Sequence, residues 1–334
     1  MRCSTRESGW GADLRPADTA LSAATGAATA ATAAVITTTV ITTATATPAV
    51  VVPARWRAVR IAVALWRLRG SVRFGLIVIA SMVAMALFAP LLAPYGPDEQ
   101  DLAMALTGPS AQHWLGTDNV GRDLVTRLIY GARVPLVVAF VSTVMSALIG
   151  VTLGLLAGFI GGWVDAALMR ITDAFLCFPP LIFVLLMSAH LGPGIHNVIL
   201  SFVLFGWTGF ARITRGQVLV VRELQFIEAA RAIGMSRGRL LWRHVLPNVM
   251  TPIIVACSIT AGSAILVEGG SSFLGIGVQP PTPSWGKELQ VGFSYLELVP
   301  LFSLSAGLMI TLAVCAFNFV GDGLRDLLDP RQRG

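Results

Sequence analysis

Glu228-Ala229-Ala230-Arg231 is followed three residues later by Gly234, and after nine more residues by His244-Val245-Leu246-Pro247. Glu228 is a lone carboxylate with no adjacent base or nucleophile, so this stretch suits contact rather than catalysis. The segment Phe226 to Gly234 reads as a short helix. A negative charge in its first turn suits the helix dipole, and paired alanines favour helix while leaving a smooth surface. Gly234 suits a left-handed helix end, and Pro247 the first turn of a following helix. A small-residue helix of this kind is shaped to enter a groove on another protein; an amphipathic interfacial helix is the alternative.

Other residues were weighed for chemistry. Glu268 is an intramembrane acid near one end of an apolar run, either functional by default or hydrogen-bonded to neighbouring helices. Arg170 and Asp173 stand at i,i+3 spacing and can bond to each other on a helix. Pro179-Pro180 should kink or break its span, with a possible part in gating. Asp118 to Asp123 lacks the alternating oxygen ligands and distal Glu of an EF-hand. His190 and His196 flank a turn and read as solvated loop residues rather than metal ligands. Gly286-Lys287 lacks the upstream glycine and following Ser/Thr of a phosphate loop, so no ATP chemistry is expected on this chain. Neither a metal nor a cofactor is expected.

The elements that carry these residues cross a membrane. Of 334 residues 55% are hydrophobic and 13% charged, against about 25% charged in soluble domains. Runs without Asp, Glu, Lys or Arg extend over Phe74–Pro97, Val134–Val164, Ala174–Ala211, Val245–Val267 and Leu298–Gly321. A spanning helix needs about 20 apolar residues. The third run holds two helices, split at Leu191-Gly192-Pro193-Gly194, which makes six spans. They fall near 74–94, 134–159, 166–190, 196–218, 248–272 and 298–321. The fold class expected is therefore all-α, a polytopic membrane protein of six transmembrane helices in a lipid bilayer.

Charge gives the orientation. Arg55, Arg57, Arg60, Arg67, Arg69 and Arg73 form a basic collar that fixes the N-terminus in the cytoplasm. The region 94–133 carries five acids against three arginines and is expected outside. From Arg212 to Arg243 there are seven arginines and two acids, which places the Glu228 loop inside. The net charge of +6 belongs to these loops and not to a nucleic-acid site. The four cysteines are scattered and suggest packing. In the second span Ser142, Ser146, Gly150, Gly154 and Gly158 repeat every fourth position, the pattern that lets two helix backbones approach closely in lipid.

Residues 1–54 differ from the rest: Thr19 to Pro53 is nearly all Ala, Thr and Val, a low-complexity extension expected to be disordered and dispensable. The organisation expected is this extension, then 55–133 with the collar, first span and outer loop. A five-helix core follows over 134–325 with the short Glu228 helix at about 226–238, and then a cytoplasmic tail, 326–334.

The full spacing from Glu228 to Pro247 resembles the cytoplasmic loop of binding-protein-dependent ABC importer permeases. The stretches His113–Asp118 with Gly121–Asp123, Ala157–Asp165, Met169–Asp173, Ser272–Gly277 and Pro281–Gly286 resemble the C subunits of dipeptide/oligopeptide permeases. The resemblance covers about residues 70–330. It implies the type I ABC importer permease fold in the bacterial cytoplasmic membrane, with both termini cytoplasmic. It further implies a second homologous permease, two ABC ATPase subunits and an extracytoplasmic substrate-binding protein. By residue it gives Glu228, Ala229, Ala230 and Gly234 a docking role on the ATPase, with Arg231, Arg237 and Arg239 as flanking charges. Dipeptides or short oligopeptides lead as cargo, with nickel, glutathione or haem as alternatives. An ion-gradient carrier working alone is disfavoured by the lack of an internal repeat and by a single deep acid. A non-transporting scaffold leaves the loop spacing unexplained.

Overall fold

A computed structural model describes residues 70–328, all within the unit Ile61–Gly334. The low-complexity segment 1–54, the collar as far as Arg69 and residues 329–334 lie outside the described residues. The described chain is helical throughout, apart from turns and one isolated bridge between Thr117 and Asp123.

The first span is α1 (Gly70–Leu87). It stops well before position 94. Phe88 breaks it, and a short α2 (Ala89–Leu92) restarts with Pro90 in its first turn, where the missing N–H costs nothing. The segment after α2 leads into α3 (Leu124–Gly131), capped by Asp123, whose side chain accepts from the Thr126 amide. The second span, α4 (Arg133–Ile160), has 28 residues and is about 42 Å long.

The third span is broken. Helices α5 (Gly162–Leu176) and α6 (Pro180–Leu191) meet at a bend of 78°. Pro179 and Pro180 supply no N–H to the preceding turn, so the α-ladder cannot pass through them. The break expected from the sequence is therefore present within the span expected at 166–190.

Next come α7 (Ile195–Val221), α8 (Gln225–Ala232), the single turn α9 (Arg237–Leu240), and a π-helical turn over Leu241–Val245 that runs directly into α10 (Leu246–Phe273). Helix α11 (Trp285–Ser294) precedes the last span, α12 (Pro300–Leu328). Its start is set by Ser284, whose side chain accepts from the Lys287 amide. Five helices among the described residues are long and apolar enough to cross a membrane, and the bent α5–α6 pair makes a sixth.

Along the small-residue stripe of α4 the interior leaves no room for a side chain. A Cβ built on Gly150 would lie 2.3 Å from the Trp207 carbonyl, and one on Gly154 2.5 Å from that of Ala211. Gly158 meets Val218 in the same way, at 2.8 Å. These contacts run along the length of α7, so α4 and α7 pack backbone to backbone. With no hydrophobic drive between helices in lipid, such close dispersion contact is what joins them.

Candidate functional site

Helix α8 is fixed from below by two side chains. Ile227 is wholly buried and Ala230 nearly so. Both belong to one buried cluster with Val218 and Val221 of α7, Leu240 of α9, and Val245, Val249 and Ile253 leading into and along α10. The i,i+3 spacing puts Ile227 and Ala230 on one face. The opposite face carries Glu228, Ala229 and Ala232, with Arg231 at the edge of the anchoring face, all four exposed. Beside it Ile233 is 80% exposed and Trp242 64%. Of the two alanines expected at the docking surface, Ala229 is exposed and Ala230 is buried in the anchoring cluster.

Gly234 ends α8. Its φ is +80°, a conformation that costs a side-chain-bearing residue energy. The Met235 amide donates to the Ala230 carbonyl at 3.1 Å and the Gly234 amide to Arg231 at 2.9 Å. These two bonds are the Schellman arrangement. The helix therefore stops at Ala232 and does not continue to 238 as expected. Arg237 and Arg239 stand on the separate turn α9.

Two ion pairs tie α5 to α7 beside this loop. Asp165 takes two bonds from Arg215, at 2.5 and 2.7 Å. Asp173 accepts from Arg212 at 2.5 Å. The expected Arg170–Asp173 pair is thus replaced by a bond between helices. Arg222 adds a bond to the Gly158 carbonyl at 3.0 Å, at the end of α4 that faces the loop. Arg212 and Arg215 lay inside a stretch read only as a charge surplus. Their partners were not visible, because the contacts are 39 and 50 residues apart.

The other end of the molecule is a second rigid unit. Arg127, almost fully buried, donates from Nε to Glu288 Oε1 at 2.7 Å and from Nη1 to the carbonyls of Pro97 and Pro281 at 3.1 and 3.2 Å. Burial pushes the Glu288 carboxyl above the ordinary glutamate range, with the Arg127 guanidinium pulling it back. The Trp285 indole donates to the Leu128 carbonyl at 2.9 Å. Asp118 accepts from the amides of Val120 and Arg122 and from Arg122 Nε at 2.6 Å. Asp123 caps α3 and bonds His113 Nδ1 at 3.0 Å. These carboxylates are occupied in holding the loop, in keeping with its reading as structure and not as a calcium loop.

Glu268 is buried in α10. Ser272 Oγ donates to its Oε1 at 2.8 Å and accepts from the Val278 amide at 3.1 Å. The acid therefore braces the turn that follows its own helix. Pro179 stands exposed at the α5–α6 break.

Known proteins share this architecture and sequence. The family profile "Binding-protein-dependent transport system inner membrane component" matches residues 150–334. The "N-terminal TM domain of oligopeptide transport permease C" matches residues 66–109. The dipeptide transport system permease protein DppC of Alkalihalophilus pseudofirmus is 42% identical over 259 residues, 78% of this chain and 85% of that protein. The glutathione transport system permease protein GsiD of Pectobacterium atrosepticum is 40% identical over 262 residues, 78% of this chain and 87% of that one. The probable D,D-dipeptide transport system permease protein DdpC of Escherichia coli is 38% identical, covering 80% and 91%. A chain of the MetNI methionine ABC transporter, in an inward-facing conformation, aligns with a TM-score of 0.50 at 18% identity. It covers 62% of this chain and 97% of that one, a likeness of fold alone. The chain is a multi-pass inner-membrane protein and belongs to the binding-protein-dependent transport permeases, with a first-span region of the oligopeptide permease C type.

Proposed function

We propose that the outward face of α8, built on Glu228 and Ala229, is the surface through which a separate ATPase subunit drives this permease. The observation that carries the reading is mechanical. Ile227 and Ala230 seat α8 on the ends of α7 and α10, so a push on its free face is delivered to two spans at once. The face is smooth at Ala229 and charged at Glu228, which suits a groove on a partner. ATP hydrolysis lies on that partner, because this family supplies the membrane component. The assembly proposed has a second homologous permease, two ATPase subunits and an extracytoplasmic binding protein, with the α8 loop and both termini in the cytoplasm.

Movement between inward- and outward-open states requires that ATPase contacts differ in strength between them. Asp165–Arg215 and Asp173–Arg212 keep α5 attached to α7 as α8 moves, and Glu268 with Ser272 stabilises the opposite turn. Pro179 is the natural flexing point between α5 and α6, and Arg170 sits on the same helix as a further charge for this network.

The cargo proposed is a dipeptide or short oligopeptide, in line with the names of the dipeptide permeases at 38–42% identity. Glutathione is the second reading, because a glutathione permease is 40% identical over a similar length. The test is Glu228→Lys and Ala229→Trp in the reconstituted transporter. Both are expected to cut transport at least tenfold while the ATPase subunits retain basal hydrolysis. Wild-type transport in both variants sinks the contact. Uptake assays against labelled dipeptide and glutathione with the cognate binding protein decide the cargo.

A further inference from the structure

Asp173 and Arg212 are 51% and 52% exposed; Arg212 stands well inside α7, and Asp173 lies three residues before the end of α5 at Leu176. Arg212 is nine residues from the end of α7 at Val221, about 14 Å along the axis. Trp163 begins α5 and is 81% exposed, as aromatic residues at the headgroup level are. Asp173 lies ten residues further on, about 15 Å along α5. A charge pair at such depth is not placed against hydrocarbon; it faces a water-filled cavity or protein.

Three further features share this face. On α7 the exposed stripe through Arg212 includes Gly209 and Gly216, around which a Cβ would meet nothing within 4 Å. Bulky apolar residues, the usual lipid-facing set, are displaced to its edges at Ile213 and Val220. On α5 the backbone breaks at Cys177-Phe178-Pro179, all exposed. Pro180 removes the donor that an unbroken helix would offer the Leu176 carbonyl, and broken backbone at membrane depth is tolerated only inside protein or beside water. Finally, among the described residues Arg212 engages a single bond, to Asp173. Its remaining N–H donors would be unsatisfied in a dry helix interface.

We infer that the face carrying Asp173, Arg212 and the Cys177–Pro179 break lines the aqueous translocation path, so that the ion pair is wetted rather than packed against lipid or against the second permease. This rests on the chain's being half of a two-permease channel and not on the α8 contact, so its failure leaves that contact standing.

Cys177 reports on the face directly: its Sγ lies 3.3 Å from the Asp173 carbonyl. The assembled transporter, in everted membrane vesicles, is prepared with Cys3, Cys257 and Cys315 replaced by Ala, and in parallel with Cys257 as the sole cysteine. A positively charged, membrane-impermeant methanethiosulfonate is expected to modify Cys177 at least tenfold faster than Cys257 in the nucleotide-free or the nucleotide-bound state. Resistance of Cys177 in both states overturns the proposal. Asp173→Asn is the second measure. In water the freed guanidinium is solvated, and the second permease is expected to co-purify at wild-type yield. Loss of more than half of it means the pair is buried in a dry interface, and the proposal falls.

Discussion

Arg127 and Glu288 stand 161 residues apart in sequence and meet at 2.7 Å, both almost wholly buried. The guanidinium also holds the carbonyls of Pro97 and Pro281. One side chain thus fastens α3 to α11 and to two outer loops. A buried, multiply bonded ion pair of this kind stiffens the junction it makes.

Removing one partner of this pair strands the other charge. Arg127→Met is expected to destabilise the outer cap by about 3–5 kcal/mol, as for other broken buried pairs. The double change Arg127→Met with Glu288→Leu should recover much of that loss, since apolar replacements of both partners are often neutral. Thermal unfolding of the purified transporter in detergent checks this; a double variant no better than the single one refutes it.

The α4–α7 seam admits no side chain at Gly154, where a new Cβ meets the Ala211 carbonyl at 2.5 Å. Gly154→Leu is expected to separate the helices and lower the amount of folded chain in membranes severalfold. Gly209→Ala, where nothing lies within 4 Å, serves as the tolerated control. Equal yields of the two chains would show that the seam is loose.

Gly234 acts through backbone geometry, since its surroundings are open. Gly234→Ala should cost about 1–2 kcal/mol from the left-handed conformation and fray the end of α8. Gly234→Asn should cost less. Hydrogen exchange at the Met235 and Gly234 amides, which close the cap, is expected to rise in the order Gly, Asn, Ala. The number of ATP molecules spent per substrate moved should rise in the same order.

The two faces of α8 are expected to fail differently. Ile227→Ala creates a cavity under the helix, costing about 2–5 kcal/mol, and lowers transport together with the stability of the loop. Ala229→Trp leaves the loop fold intact and blocks only the outward surface. Limited proteolysis at the α8 loop should therefore accelerate for Ile227→Ala and stay unchanged for Ala229→Trp.

The sequence by itself determined the spans, because the length of an uncharged apolar run is set by bilayer thickness and needs no tertiary contact to read. It also determined the small-residue seam of α4, through a period of four, and the break at Pro179-Pro180, through the missing N–H groups. The end of α8 at Gly234 was legible from one glycine, although the boundary was set too late. The tertiary structure alone decided which charges pair. Asp173 sits at helical spacing from Arg170, yet bonds Arg212, because packing α5 against α7 offers a partner that local sequence cannot show. Arg127 and Glu288 carry no signal in the sequence, and only the fold buries them together. Ala229 and Ala230 are identical in type and adjacent in sequence. Only the seating of α8 on α7 and α10 turns one outward to the proposed contact and the other into the core.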